Sequence, residues 1–89
     1  MDYEWDETKR QRNVSVHGVD FKDIEHWDWE GSLIALDPRF AEERYAALGL
    51  IGDRLHYVAY TMRNSKKRLI SMRKANRREI RKYEQAQEN

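Results

Sequence analysis

The chain of 89 residues contains no cysteine, one proline and four glycines. Without cysteine it can form no disulfide, no thiolate zinc site and no cysteine nucleophile. No apolar run approaches the ~20 residues that a membrane-spanning helix needs, and no signal peptide is visible. We therefore expect a cytoplasmic protein with no membrane partner.

Sequence signatures of cofactor binding are also missing. There is no Gly-rich phosphate loop and no dinucleotide-binding fingerprint. The histidines, His17, His26 and His56, lack the spacing of metal ligands, and the acidic residues are scattered. We therefore expect neither a metal nor another cofactor, so any chemistry must come from Arg, Lys, His, Tyr and Glu side chains.

Charged residues make up 37% of the chain and hydrophobic residues 39%. Three Trp, five Tyr and two Phe residues supply bulky side chains for a core, which favours a folded protein over a disordered one. A chain of this length forms one small domain, so residues 1–89 are expected to fold as a single unit.

The net charge of +1 hides a segregation of charge along the chain. Residues 1–43 contain twelve acidic and five basic residues, whereas residues 62–83 contain ten basic residues and one acid. The local net charge of +9 in the second segment favours a polyanionic partner, either a nucleic acid backbone or an acidic protein. The alternative is that the acidic half folds against the basic half and cancels its charge.

Hydrophobic periodicity and turn residues predict an α+β domain. Asp6 is placed to cap a helix over Glu7–Val16, and Gly18 to end it in the left-handed conformation. Asp20 could cap a second, short helix over Lys22–Trp27. The remaining patterns predict a final helix over Lys74–Gln87 and strands at Met1–Trp5, Leu33–Leu36, Arg44–Ile51, Leu55–Met62 and Arg68–Arg73.

The connections between the main strands are short, which makes neighbouring strands antiparallel. We therefore predict a small antiparallel sheet with two N-terminal helices and one C-terminal helix, the helices covering one face of it.

Two arginines at predicted strand ends, Arg63 and Arg73, are candidates for phosphate binding, because a guanidinium group donates two parallel hydrogen bonds. Glu79 is the one carboxylate in the basic segment. It could accept the proton of a ribose 2′-hydroxyl, or it could hold an arginine in place. Such groups suffice for metal-free RNA cleavage, in which the 2′-hydroxyl attacks the neighbouring phosphorus.

A polar row on the first helix is a second candidate. Lys9, Asn13 and His17 recur at four-residue spacing, so they share one helix face. They could contact phosphate or ribose, with His17 able to exchange protons near neutral pH. Alternatively, they form a solvated surface.

The final helix carries like charges four residues apart, which cost it stability and indicate that a ligand shaped its sequence. The pairs are Lys74/Arg78, Arg77/Arg81 and Arg78/Lys82. We interpret four of these cations, together with one on the preceding strand, as RNA-binding residues: Arg68, Lys74, Arg77, Arg78 and Arg81.

An ordered set of residues resembles one known family. The N-terminal part of the set is Trp5-Asp6, Lys9, Asn13, His17-Gly18 and Phe21. The C-terminal part is Tyr60-Thr61-x-Arg63, Arg68-x-Ile70-Ser71-x-Arg73-x-Ala75, Glu79 and Tyr83. At these spacings the chain resembles the BrnT-type toxins of bacterial type II toxin–antitoxin systems, from about Tyr3 to Glu84.

The resemblance implies a RelE-like α+β fold and a ribonuclease that arrests translation. It also implies a cognate BrnA-like antitoxin, a 2:2 complex, and repression of the shared operon in which the antitoxin makes the contact with operator DNA. Through the family pattern, His17 and Lys9 join the candidate catalytic residues and Tyr60 joins the RNA-binding set.

Two further interpretations fit the same residues. The protein could be a non-catalytic module whose arginines only bind RNA phosphates, or an interaction subunit whose basic surface binds only an acidic antitoxin. Chelator-resistant RNA cleavage would distinguish the enzyme from both.

Overall fold

The computed structural model describes residues 2–88. Its elements, in chain order, are β1 (Tyr3–Glu4), α1 (Glu7–His17), a 3₁₀ helix (Phe21–His26), β2 (Leu33–Leu36), β3 (Tyr45–Ile51), β4 (Arg54–Arg63), β5 (Lys66–Lys74) and α2 (Arg77–Gln87). The α+β class is thus as predicted. No helix within this part of the chain is long and apolar enough to cross a membrane.

One five-stranded sheet, in the order β1-β5-β4-β3-β2, forms the centre of the domain. The four longer strands are antiparallel, but β1 pairs with β5 in parallel, through Tyr3 opposite Lys67 and Glu4 opposite Arg68. The predicted antiparallel sheet is therefore wrong at this edge. The reason is that a strand at the start of the chain reaches β5 through long-range pairing, which no local turn signal reveals.

The β4–β5 hairpin closes with a two-residue turn. Asn64 and Ser65 have φ angles of 52° and 66°, the left-handed pair of values that matches the twist of a hairpin. Further along, Tyr60 pairs with Leu69 while Ala59 pairs with Ser71, so Ile70 is an extra residue on β5. This bulge lets residues on both sides of it return to the same sheet face.

The two faces of the sheet are covered unequally. The core face packs against the 3₁₀ helix and holds the fully buried residues Phe21, Ile24, Val58, Leu69 and Met72. The other side, which we call the open face, is covered at one end by α2. A smaller apolar cluster lies there, formed by Leu48, Leu55 and Ala75 with Leu33, Leu50, Tyr57, Ile80 and Tyr83.

The final helix begins three residues later than predicted. Lys74 completes β5, the Ala75 N–H donates to the Leu55 carbonyl at 3.0 Å, and Asn76 caps α2. Asn76 and Glu79 form a capping box, in which each side chain bonds the other's backbone N–H. Because Lys74 belongs to a strand, the predicted Lys74/Arg78 helical pair does not exist.

The N-terminal boundaries differ only slightly from expectation. Asp6 and Gly18 cap α1 as predicted, with Gly18 at a φ of 70°, and the helix extends to His17. The second helical segment, capped by Asp20, is a 3₁₀ helix rather than an α-helix.

Asn13 joins α1 to β5 and is only 5% exposed. Its amide donates to the carbonyls of Met72 at 2.7 Å and Val19 at 2.8 Å, and its Oδ1 accepts from the Met72 N–H at 3.1 Å. Asn13 therefore has a structural role in the fold, and its predicted RNA contact stays a prediction. The four-residue spacing predicts that Asn13 shares a helix face with Lys9 and His17. Of these three side chains, Asn13 is buried against β5, whereas Lys9 and His17 are exposed.

We expect Asn13→Ala to lower the free energy of unfolding by about 3 kcal/mol, because it leaves buried groups of Met72 and Val19 unpaired. Arg12→Ala, one position earlier on an exposed side chain, should change it by less than about 0.5 kcal/mol. Urea denaturation monitored by tryptophan fluorescence measures both. Equal stability of the two variants would contradict the role assigned to Asn13.

Candidate functional site

Arg73 lies near the end of β5, on the open face. Its guanidinium binds Glu79 of α2 through both ends, with Nη1–Oε1 at 2.8 Å and Nη2–Oε2 at 2.9 Å. Its Cζ lies 4.2 Å from the centroid of the Tyr57 ring on β4. The side chain is still 32% exposed, so a side chain held in a fixed position remains partly accessible to solvent.

Glu79 is suited to hold Arg73 in place. The hydrogen bonds from Arg73 lower the pKa of Glu79, with a further contribution from the Asn76 N–H, against an opposing effect of burial. The same pair raises the pKa of Arg73. A carboxylate stabilised in its charged form by a guanidinium group is a weak proton acceptor, so this geometry favours the second of the two roles predicted for Glu79.

A groove of about 240 Å³ separates α1 from β5. We call it the α1–β5 groove; its lining residues are Lys9, Arg12, Asn13, Val16, His17, Ile70 and Ser71. Ser71 shares the open face with Arg73 and is two residues away from it, about 7 Å along the strand. Ser71 therefore joins the groove to the open face that carries Arg73, although Arg73 itself does not line the groove.

The structure does not bring Arg63 to Arg73. Arg63 pairs with Lys66, seven residues before Arg73 on β5, which places the two Cα atoms about 20 Å apart. Consecutive antiparallel strands run in opposite directions, so their C-terminal ends lie at opposite ends of the sheet. A residue at the end of β4 therefore cannot meet a residue at the end of β5. Arg63 and Arg73 cannot bind the same phosphate.

Arg68 lies between these positions on the open face, opposite Thr61. Its guanidinium donates to Glu4 of β1 at 2.7 Å, and its side chain is 29% exposed. This ion pair joins the basic segment to the acidic N-terminal part of the chain.

Two other predicted RNA-binding residues lie away from the open face. Lys74 follows Arg73 and is paired with His56, so its side chain leaves the opposite side of β5. Tyr60 is 3% exposed and stacks on Tyr45 with ring centroids 5.4 Å apart. The ring of Tyr60 thus belongs to the apolar core, and an RNA contact by Tyr60 stays a prediction.

The cations of α2 divide by helix face. Lys82 turns toward the sheet side and, with Glu79, lines a second groove described below. Arg77 and Arg81 lie on the opposite face of the helix, since successive residues are rotated by about 100°, and Arg78 lies on its flank. All three arginines are exposed.

Little of the basic segment is neutralised inside the protein. Within residues 2–88 it forms the ion pairs Arg68–Glu4 and Arg73–Glu79. Arg63, Arg77, Arg78 and Arg81 make no ion pair with any residue from 2 to 88. Internal cancellation, the alternative explanation for the segregated charge, therefore does not account for these arginines.

Sequence reasoning missed Arg12 and Tyr57. Arg12 is three residues after Lys9, a spacing that also shares a helix face, so a wider helical search would have found it. Tyr57 contacts Arg73 across neighbouring strands, and that contact depends on the strand register and bulge, for which the sequence gives no signal. Within residues 2–88, no group of three His, Asp or Glu side chains is arranged to hold a metal ion.

The fold and the site define a small α+β protein with a cationic surface on one side of its sheet. A family model described as the ribonuclease toxin BrnT of type II toxin–antitoxin systems matches residues 5–79. The chain therefore belongs to the BrnT family of ribonuclease toxins, as the resemblance of its motifs indicated.

A solved structure agrees with this assignment. The 1.1 Å crystal structure of the Brucella abortus ribonuclease toxin BrnT is 33% identical to this chain. The match covers 86% of this chain and 99% of that one, with a TM-score of 0.70. Comparison with curated proteins gives no match.

The Arg73–Glu79 pair predicts a pH dependence of stability. Because the pKa of Glu79 is lowered in the folded protein, the stabilisation is present above the ordinary glutamate pKa and is lost as pH falls through the folded value. We expect Glu79→Gln, which retains the helix cap, to lower the free energy of unfolding by about 1 kcal/mol near pH 7. The difference from the wild type should shrink as pH falls below the ordinary glutamate pKa and through the lowered pKa of the folded protein.

Glu84→Gln is the matched control, since Glu84 is exposed on the same helix. Urea denaturation across this pH range should show no pH-dependent difference between this variant and the wild type. A constant difference for Glu79→Gln at every pH would show that the carboxylate charge does not stabilise the fold.

Proposed function

We propose that this protein is an endoribonuclease toxin that cleaves RNA by attack of a ribose 2′-hydroxyl, without a metal. The observation that carries the proposal is the fixed, partly exposed side chain of Arg73, two residues along β5 from Ser71 of the α1–β5 groove. In this proposal a phosphodiester accepts hydrogen bonds from the N–H groups of Arg73 that Glu79 does not bind, and the lysine, arginine and histidine of α1 supply the further polar groups from the groove.

In the proposed reaction the 2′-oxygen forms a bond to the adjacent phosphorus and the bond from phosphorus to the 5′-oxygen breaks. The products are a 2′,3′-cyclic phosphate and a 5′-hydroxyl. One proton leaves the 2′-hydroxyl and one is delivered to the departing 5′-oxygen. Arg73 stabilises the charge that grows on the phosphoryl oxygens.

His17 and Lys9 are the proposed groups for proton transfer. An imidazole exchanges protons near neutral pH, and His17 is exposed at the end of α1, where it lines the groove. Lys9 and Arg12 on the same groove add positive charge. Glu79 acts as a positioning residue, because both of its oxygens are bound to Arg73.

The remaining exposed arginines extend the proposed RNA-binding surface beyond the reacting phosphate. Arg68 lies next along the open face, and Arg63 lies about 20 Å from Arg73, where it would bind a distant part of the strand. Arg78 flanks the side of α2 on which Lys82 lies. Each such contact should contribute to affinity and to its salt dependence rather than to the chemical step.

Membership of a toxin–antitoxin family supports a cognate antitoxin as partner. We propose a 2:2 complex in which a BrnA-like antitoxin neutralises the toxin and binds operator DNA, so that the pair represses its own operon. Free toxin would cleave RNA in the cytoplasm and arrest translation.

Replacing Arg73 tests the enzyme directly. We expect Arg73→Ala to lower the rate of RNA cleavage by about 100-fold or more, the usual effect of removing a preorganised donor to a developing oxyanion. Lys74→Ala removes an equal charge from the adjacent residue on the opposite face and should change the rate by less than about threefold. The measurement is cleavage of a fluorescent RNA in EDTA, with circular dichroism as the check on folding.

Equal loss in the two variants would mean that only net charge matters, which contradicts a defined site at Arg73. Intact RNA in EDTA, combined with salt-sensitive binding, would support a non-catalytic RNA-binding module instead.

A further inference from the structure

A second groove on the open face lies between α2 and the edge strand β2. We call it the α2–β2 groove; its volume is about 350 Å³ and its lining residues are Leu33, Ile34, Ala35, Ala46, Leu48, Tyr57, Glu79 and Lys82. Its volume lies at the small end of the range for ligand pockets, which suits a group of the size of one aromatic ring system.

The shape of the groove follows from the side chains on neighbouring strands. Ala35 on β2 pairs with Ala46 on β3, so the sheet carries only two methyl groups at this point of the groove. Leu48 and Tyr57 form the next row and stand higher. The helix α2 closes the groove on one side but buries none of its own residues completely, so the opening stays accessible.

The Tyr57 ring connects this groove to the candidate site. Along one row of the sheet the order is Leu48, Tyr57, Arg73. The ring therefore stands between the groove and the guanidinium, whose Cζ is 4.2 Å from the ring centroid. A ligand that places an anionic group at Arg73 and extends across Tyr57 enters an apolar groove.

The charges around the groove favour a nucleotide over a purely apolar side chain. Arg73 offers a phosphate site at one end, and the exposed Lys82 lies at the rim. Glu79 lies at the same rim, and its Oε2, which accepts one hydrogen bond from Arg73, has a second lone pair for an exocyclic amino group. An apolar trough with an aromatic wall, a few polar rim groups and a neighbouring phosphate site matches the way single-stranded RNA is bound.

We infer that the α2–β2 groove is a nucleobase subsite, which takes the base of a nucleotide flanking the phosphate at Arg73. This inference rests on the proposed ribonuclease function and extends it. It makes the toxin sensitive to the presence of a base at one position of the strand, whereas the surrounding arginines bind phosphates of any sequence.

The test uses purified protein and an eight-nucleotide 2′-O-methyl RNA, which cannot undergo 2′-hydroxyl attack, with a fluorescent 5′ label. A set of otherwise identical oligonucleotides carries one abasic nucleotide at each position in turn, so the phosphates are kept and one base is lost. Fluorescence anisotropy gives the dissociation constants. We expect a weakening of about tenfold at one or two adjacent positions, in the range for loss of one stacked base.

Filling the groove locates that base. Ala35→Leu adds bulk at an exposed edge-strand position and should weaken binding of the intact oligonucleotide about tenfold. In this variant, removing the base at the sensitive position should cause little further loss of affinity. Ala41→Leu makes the same change at an exposed residue outside the groove and should leave binding unchanged. If Ala35→Leu lowers the melting temperature, Ala35→Met provides a more flexible filler with the same expected outcome.

Several results would overturn the inference. Binding that is equally sensitive to base loss at every position, or a sensitive position unaffected by Ala35→Leu and Ala35→Met, would remove the subsite while leaving the ribonuclease proposal in place. If Ala35→Leu and Ala35→Met left RNA binding unchanged but prevented formation of the antitoxin complex, the groove would be a binding site for the antitoxin instead. Absence of any oligonucleotide binding would overturn both proposals.

Discussion

One side-chain amide determines how the first helix meets the sheet. Strand β1 pairs with β5 only at Lys67 and Arg68, so the outer edge of β5 further along lacks a strand partner. Asn13 bonds both the N–H and the carbonyl of Met72 there, at 3.1 and 2.7 Å, much as a neighbouring strand would. Because these groups are buried, misplacing the helix would leave them unpaired at a cost of a few kcal/mol. The position of the α1–β5 groove depends on this contact.

A second attachment is made at the end of β5, where the chain turns into α2. The Asn76–Glu79 capping box starts the helix, and the same Glu79 carboxylate binds Arg73 through both oxygens. Helix formation and orientation of the guanidinium are thus coupled through one side chain. The helix α2 also packs on the sheet through Ile80 and Tyr83, so polar and apolar contacts together fix its position.

The two attachments give β5 a central part in the proposed chemistry, although β4 lies at the middle of the sheet. On one side of Ser71 is the helix with Lys9, Arg12 and His17, and two residues further along the strand is Arg73. In the proposed reaction the first group transfers protons and the second stabilises phosphate charge. The α2–β2 groove, on the far side of Tyr57, extends the same surface from a phosphate site to a base site.

Several features could be read from the residues alone. Local signals were sufficient for the caps at Asp6 and Gly18, the β4–β5 hairpin and the α+β class, because each depends on a few neighbouring residues. The excess of basic residues from 62 to 83 was equally visible, and the ordered motif was enough to indicate the BrnT family. Contacts between distant residues decided the rest. One exception is the separation of Arg63 from Arg73, which the predicted antiparallel order of consecutive strands already implies. The burial of Asn13 and Tyr60 and the contact of Tyr57 with Arg73 depend on packing, register and the bulge at Ile70, which are properties of the assembled sheet and leave no trace in local sequence.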